Sequence, residues 1–232
     1  MQLEPRQEAI LKCIVDEYVR LAEPVGSKLV ADRYGQASPA TIRNDMAALE
    51  ESGYIVQPHT SAGRVPTEKA YVYYLQRFVE GQREAGKPDT RVREAFRDVE
   101  NGGDGIRDLA RTLVDLSGEM ALVAVDPCSG YYCGVANLLD KPDFGDIGVV
   151  RELSRFLDRF DEVMGEVFDR VASEPQVLIG SENPFGKDMS AVMVKCRLPN
   201  GRIGILGILG PMRMDYGRNL GLMEDVRDIL DE

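Results

Sequence analysis

The stretch SPATIRNDMAALEESGYIVQPHTSAGRVPT, Ser38 to Thr67, limits what this chain can fold into more than any other. Ser38 followed by Pro39 is a helix-start signal. The serine side chain can accept one of the orphan N–H groups of the first turn, and proline loses nothing at the first helical position. At about 100° per residue, Ile42, Met46 and Leu49 share one face and are expected to face a core. The opposite face carries Ala40, Asn44, Ala47 and Ala48, with Thr41 and Arg43 on its shoulders. A solvated helix normally turns long charged side chains outward. This one presents small residues, an asparagine and an arginine, so it can come close to another surface.

The preceding residues supply a partner for that helix. A first helix is expected from Pro5, with Leu11, Ile14, Val15, Tyr18 and Leu21 at helical spacing. "AEPVGS" breaks it, and a second, shorter helix follows over 27–34, burying Leu29 and Val30. "GQA" at 35–37 turns the chain into the third helix. Short helix, turn, then a helix with a polar amino-terminal half is the helix-turn-helix pattern, whose second helix enters the DNA major groove. Arginine and asparagine are the residue types that read guanine and adenine edges. Beyond Glu51, "SGYIV" is expected to be a strand and "QPHTSAGRVPT" a loop of small residues holding His59 and Arg64. We read this loop as a wing whose backbone amides and Arg64 touch phosphate or the minor groove. Thr67 is expected to cap a fourth helix that packs Tyr71, Tyr74, Leu75 and Phe78. Trihelical domains with a hairpin also serve protein–protein contacts, so a binding module without DNA affinity stays open at this point.

Charge bears on the same choice. The 232 residues carry a net charge of −11, which at first argues against a nucleic-acid partner. Residues 1–80, however, hold nine Lys/Arg against eleven Asp/Glu, while residues 81–232 hold nineteen against twenty-eight. The acidity belongs mainly to the second part, and the arrangement of charge in the first part matters more than its sum.

The second part reads as an α+β domain. "GQREAGKPDT" at 81–90 has the composition of a linker. Helical patterns occupy 91–100 and 106–117, separated by "NGGDG", and a strand follows at 120–125. From Val150, Leu153, Leu157, Phe160, Met164, Val167 and Val171 recur at steps of three and four, as in one long amphipathic helix or two joined ones. Packing against a sheet is one reading of that stripe. An intersubunit seam through Leu157, Phe160 and Met164 is the other. Strands are expected at 176–180, 191–198 and 203–209, the last two joined by the hairpin signal Asn200-Gly201 within "PNGR", with a closing helix from Asp215. Helices then lie on an antiparallel sheet.

Catalytic and metal chemistry find little footing. His59 is the only histidine and sits in a loop of small residues. Cys128 and Cys133 lack a second ligand pair, so zinc is not expected. "GILGILG" lacks the strand–loop–helix context and spacing of a dinucleotide loop, and small strand residues that let a helix pack closely are the preferred explanation. Ser181 and Glu182 in "GSENP" read as a satisfied turn. No cofactor, no enzymatic activity and no membrane segment are expected. Neither an apolar run of bilayer length nor a leader is visible, and four scattered cysteines fit a reducing, cytoplasmic setting.

Taken together, "EPVGSKLVADRY", "SPATIRNDMAALEESGYI" and "HTSAGRVPTEKAYVYY" resemble the heat-inducible transcription repressor HrcA family, with almost no break across residues 5–78. A weaker resemblance covers "VLIGSENP" at 177–184 and "GILGILGPMRMDYGRNLGLM" at 204–223. The resemblance implies a winged helix-turn-helix over 1–80, a linker and connecting helix over 81–105, and a GAF-like regulatory and dimerisation domain over 106–232. It implies a dimeric repressor of chaperone genes in the heat-shock response, binding the inverted repeat called CIRCE on double-stranded DNA. Control by the chaperonin GroEL is implied as well. Carried onto this chain, the recognition-helix positions are Ser38, Ala40, Thr41, Arg43 and Asn44, and the wing positions are Thr60, Ser61, Gly63 and Arg64. Family members are longer by roughly a hundred residues, about one small domain. The expected gap lies within 120–139, where a dimerising insertion would stand. A regulator sensing a small molecule through the second domain is the rival that this gap suggests, and an enzyme using the acidic second domain is a further one.

Overall fold

The computed structural model describes residues 3–79, 90–94, 105–126, 129–180, 183–198 and 202–231. Most of the expected linker, the Gly-rich break at 101–104, Cys128, Ser181, Glu182 and the turn at 199–201 lie outside them. The chain forms two compact units, Met1–Arg83 and Glu84–Glu232.

The first unit runs α1 (Pro5–Leu21), α2 (Ser27–Tyr34), α3 (Pro39–Glu51), β1 (Ile55–Val56), β2 (Val65–Pro66) and α4 (Glu68–Tyr74), which continues as a π-helical turn, Leu75–Val79. Each start has a local cause. Pro5 opens α1 behind a capping box of Glu4 and Gln7. Ser38 accepts the Thr41 amide at the head of α3, and Gly35, with φ 70°, provides the left-handed turn out of α2. Ile10, Leu11, Ile14 and Val15 of α1 meet Val30 of α2 and Ile42, Met46 and Leu49 of α3 in the core. Burying one such aliphatic side chain is worth about 1.5–3 kcal/mol, so this stripe dominates the unit's stability.

Two details depart from expectation. Leu21 is exposed, because α1 ends there in a left-handed Ala22 and its last turn lies past the core. Thr67 stands at the start of α4, but its hydroxyl donates to the Gly53 and Tyr54 carbonyls at 2.8 and 3.0 Å instead of capping the helix. It ties α4 to the foot of the wing. The α4 tyrosines are structural. Tyr71 is buried, Tyr74 donates to Asp16 at 2.7 Å, and Tyr73 donates to Glu8. Desolvation, followed by that bond to Glu8, pushes the Tyr73 phenol up to about 12.

The second unit contains α5 (Gly105–Ser117), β3 (Met120–Asp126), β4 (Ser129–Cys133), α6 (Val135–Leu139), a 3-10 turn (Pro142–Gly145), α7 (Ile147–Asp158), α8 (Phe160–Phe168), β5 (Gln176–Ile179), β6 (Met189–Arg197), β7 (Ile203–Pro211) and α9 (Tyr216–Asp231). The strands form one antiparallel sheet in the order β4-β3-β7-β6-β5, with β6 and β7 paired from Met189↔Pro211 to Arg197↔Ile203. Helices cover both faces. Met120, Leu122, Ala124, Ala191, Met193, Ile205 and Leu209 pack with Leu153, Phe156, Phe160, Met164 and Val167 of α7 and α8. The alternate residues Val123, Val192, Val194, Leu206 and Ile208 are fully buried on the opposite face, where α5 and α9 contact the sheet.

This packing corrects the intersubunit seam. Phe160 and Met164 are buried in the unit's own core, and Leu157 packs against that core part-buried. The Phe160 ring lies 4.9 Å from Tyr132 and 5.7 Å from Phe156. The apolar stripe faces the sheet and leaves those side chains unavailable to a second copy. The stripe is also two helices, broken at Arg159. The strand β4 has no clear signal in the sequence, since SGYYC is a half-exposed edge without alternation. Gly204 and Gly207 make room for Leu198 and Met193 side chains of the sheet itself, and Gly210 for the Glu119 carboxylate, so no closely packed helix explains "GILGILG". Glu119 is buried beside Lys141. Burial raises its carboxyl above the ordinary range against the pull of that lysine. Among the described residues no helix is long and apolar enough to cross a membrane.

Candidate nucleic-acid interface

The candidate surface is built by α3 and the loop between β1 and β2. On α3, Ser38, Ala40, Arg43, Asn44 and Ala47 are exposed and Thr41 is half-exposed. Ile42, Asp45, Met46 and Leu49 point inward. Two outward turns of a helix thus present an arginine and an asparagine among methyl groups. Ser38 is committed to capping, with its Oγ 3.2 Å from the Thr41 amide and 3.0 Å from the Thr41 hydroxyl. Thr60 and Ser61 are exposed at the tip of the loop, as is His59. The loop and α3 border a cleft of about 380 Å³ lined by Arg43, Met46, Thr60, Ser61 and Arg64, and by Gly26 and Ser27 at the start of α2.

Three ties hold this surface in shape. Arg6 reaches from α1 to the buried Asp45 with two bonds of 2.9 and 3.0 Å, fixing the inner side of α3. Glu17, nearly buried on α1, takes ion pairs from Arg20 and Arg33 and so joins α2 to α1. The Arg20 bond, with Arg33 behind it, holds its carboxyl below the usual range. The base of the wing is stitched to the turn before α2 by two backbone bonds, Val25 N–H to the Arg64 carbonyl at 2.8 Å and Arg64 N–H to the Val25 carbonyl at 2.9 Å. At Gly63 a Cβ would lie 2.5 Å from the Val25 backbone carbonyl. That glycine is required by the scaffold and presents no side chain to a partner.

Arg64 is engaged within the unit. Its Nε and terminal nitrogen bond Glu50 at 2.9 and 2.8 Å, and its side chain is only 20% exposed. The guanidinium is turned inward toward α3 and not out into solvent. The basic side chains that do stand free are fewer than the sequence suggests. In this unit, Lys28 and Arg43 alone have neither an ion pair nor a hydrogen bond among the described residues. Both are exposed. Arg43 lines the cleft, and Lys28 follows Ser27 of its lining on the first turn of α2. Lys28 was missed from sequence, because nothing local separates it from the lysines and arginines that pair elsewhere. Asp45, Glu50 and Gln57 were missed for the same reason.

The described residues of the second unit show no comparable cluster. Among the described residues no cluster of three His, Cys, Asp or Glu gathers as a metal site. Cys133 is half-buried, and burial pushes its thiol up. Asn183, next to the "GSE" whose last two residues lie outside the described ones, is buried and donates to the Gly186 and Met189 carbonyls, as a turn requires.

Comparison with known proteins agrees with this geometry. Residues 2–77 match the family described as "Winged helix-turn-helix transcription repressor, HrcA DNA-binding", and residues 72–220 match "HrcA protein C terminal domain". The heat-inducible transcription repressor HrcA of Syntrophobacter fumaroxidans is 25% identical, with 99% of this chain and 97% of that protein aligned over 340 positions. The 232 residues here therefore leave many positions of that alignment without a counterpart in this chain. The HrcA of Parafrankia sp. is 43% identical over 202 residues, covering 85% of this chain and 59% of its own. A crystal structure of a hypothetical protein superposes over 98% of this chain and 100% of its own with a TM-score of 0.75 at 21% identity, which fixes the fold alone. Two family matches, overlapping at 72–77, cover residues 2–220 in order, and the chain belongs to the HrcA family of heat-inducible transcription repressors.

Proposed function

We propose that this chain represses transcription by laying α3 in the major groove of an inverted-repeat operator, as a homodimer, with the wing on the adjoining backbone. The observation that carries this reading is the exposed face of α3, on which Arg43 and Asn44 stand unobstructed between Ala40 and Ala47. Arg43 is suited to the O6/N7 edge of guanine and Asn44 to the N6/N7 edge of adenine. Thr60 and Ser61 at the wing tip, with Lys28 at the head of α2, supply backbone contacts that set register without reading sequence. Arg64 acts from behind the wing. One such headpiece buries limited DNA surface, so two copies on a twofold axis are needed for tight binding. The acidic second unit discourages loose attachment to DNA and leaves recognition to α3. The family's chaperone-gene operator and its control by a chaperonin, both implied by the resemblance, are the biological setting proposed here.

An Arg43→Ala chain tests the assignment. Its affinity for the inverted repeat should fall by about 1–3 kcal/mol, or roughly tenfold to a hundredfold, with little change on a scrambled duplex. Equal losses on both duplexes would remove Arg43 from base reading.

A further inference from the structure

Within that DNA-binding reading, we infer that Glu50 is the positioning residue of the wing, and that Arg64 serves this clamp and not the phosphate backbone. Glu50 sits on the last turn of α3. Its Oε1 accepts the Gln57 backbone N–H at 3.1 Å, where the chain leaves β1 for the loop. Its Oε2 accepts from Arg64 at 2.9 and 2.8 Å, where the chain returns toward β2. One carboxylate thus joins both limbs of the wing to the recognition helix. Gln57 extends the clamp into the loop, donating from Nε2 to the Thr60 and Ala62 carbonyls, both at 3.0 Å.

The wing needs such a device. β1 and β2 pair over only two residues each, Ile55↔Pro66 and Val56↔Val65, which cannot fix the angle of an eight-residue loop against α3. The Val25–Arg64 bridge holds one limb to the α1–α2 turn but leaves the tip free to swing. With Glu50 one-third exposed, the pair adds little to overall stability. Its effect lies in where Thr60 and Ser61 stand relative to Arg43. Positioning groups of this kind carry no sequence information, yet base contacts fail when register is lost.

The geometry also makes a claim about salt. A phosphate contact contributes about 0.9 to the slope of log affinity against log salt on duplex DNA. Arg64 held by Glu50 contributes none, because its charge is already neutralised inside the protein.

The test compares Glu50→Ala, Arg64→Met and the double variant with the parent chain on inverted-repeat and scrambled duplexes at several salt concentrations. Alanine is a strong helix former, so α3 should persist in Glu50→Ala. Each single variant should weaken inverted-repeat binding by about tenfold, as when the wing stands in its binding position only about a tenth of the time. The double variant should bind no worse than the weaker single, since both break one interaction. The slopes of Arg64→Met and of the double variant should equal the parent's, while Glu50→Ala, which frees the Arg64 charge, is read by affinity and not by slope. A slope lowered by about 0.9 in Arg64→Met, or losses that multiply in the double variant, overturns the inference. If Arg64→Met fails a thermal-melt check, Arg64→Gln replaces it in the slope measurement, since glutamine also removes the charge but keeps a polar side chain. Amide exchange on the DNA-free chain gives a separate reading. Glu50→Ala should speed exchange at Gln57 and Ala62 and leave Ile14 unchanged; unchanged wing amides also overturn the inference. A parent chain with no duplex preference defeats the DNA reading instead, and the exchange measurement then still decides whether the clamp exists.

Discussion

A Gly63→Ala chain is expected to bind the inverted repeat about a hundredfold more weakly, and to melt at a clearly lower temperature while still folding. The added methyl would sit 2.5 Å from the carbonyl carbon and oxygen of Val25 and 2.6 Å from the Pro24 oxygen. These are backbone atoms and cannot rotate away. Relief requires breaking the two backbone bonds between Val25 and Arg64 and moving the wing base off the α1–α2 turn. Two such bonds contribute on the order of 1–3 kcal/mol together to the stability of the unit, and affinity falls about a hundredfold if the wing then stands in its binding position only about one-hundredth of the time. The displacement also carries Arg64 away from Glu50, so positioning is lost from both sides of the wing. Titration of inverted-repeat DNA alongside a thermal melt measures both quantities. Parent-like affinity would mean that the wing plays no part in binding.

The second large effect concerns the other unit. Phe160→Glu should abolish its cooperative unfolding transition and leave the α1–α4 unit folded. Phe160 is 6% exposed, wedged between Tyr132 and Phe156, and its ring would touch any Cβ placed at Gly130. Burying a carboxylate there without a partner costs several kcal/mol, a large fraction of the roughly 5–15 kcal/mol that holds a domain together. Calorimetry should lose one transition, and amide signals of α1–α4 should persist. A folded, monomeric variant would instead place Phe160 on a subunit seam and contradict its packing in the core.

These two variants mark what the sequence made legible. Residues with a local physical signature could be read from it. Ser38-Pro39 announced α3, and the Ile42, Met46, Leu49 period gave its inner face and therefore the outward Arg43 and Asn44. The same periodicity identified the apolar stripe of α7 and α8 but not its partner. A stripe that packs on a sheet and one that packs on a second copy look alike, and only β3, β6 and β7 in place decide for the sheet. The break at Arg159 was hidden because the apolar spacing continues across it. Pairings distant in sequence were invisible. Arg6 and Asp45 are 39 positions apart and Glu50 and Arg64 are 14 apart, and nothing local marks either pair. That is why Arg64 reads as a phosphate ligand in the sequence and as half of a clamp in the structure. It is also why Lys28, left without a partner, gains importance only once the other charges are matched. Gly63 looks like a contact position in the sequence, and its necessity comes from the close backbone of Val25.

All of this converges on the outward face of α3. Its most direct test is equilibrium binding of the purified chain to the inverted repeat and to a scrambled duplex of equal length and composition, at one stated salt concentration, with the mass of each complex measured in parallel. At least about a thousandfold preference for the inverted repeat is expected, with two chains on each duplex. Equal affinity for the two duplexes would contradict it.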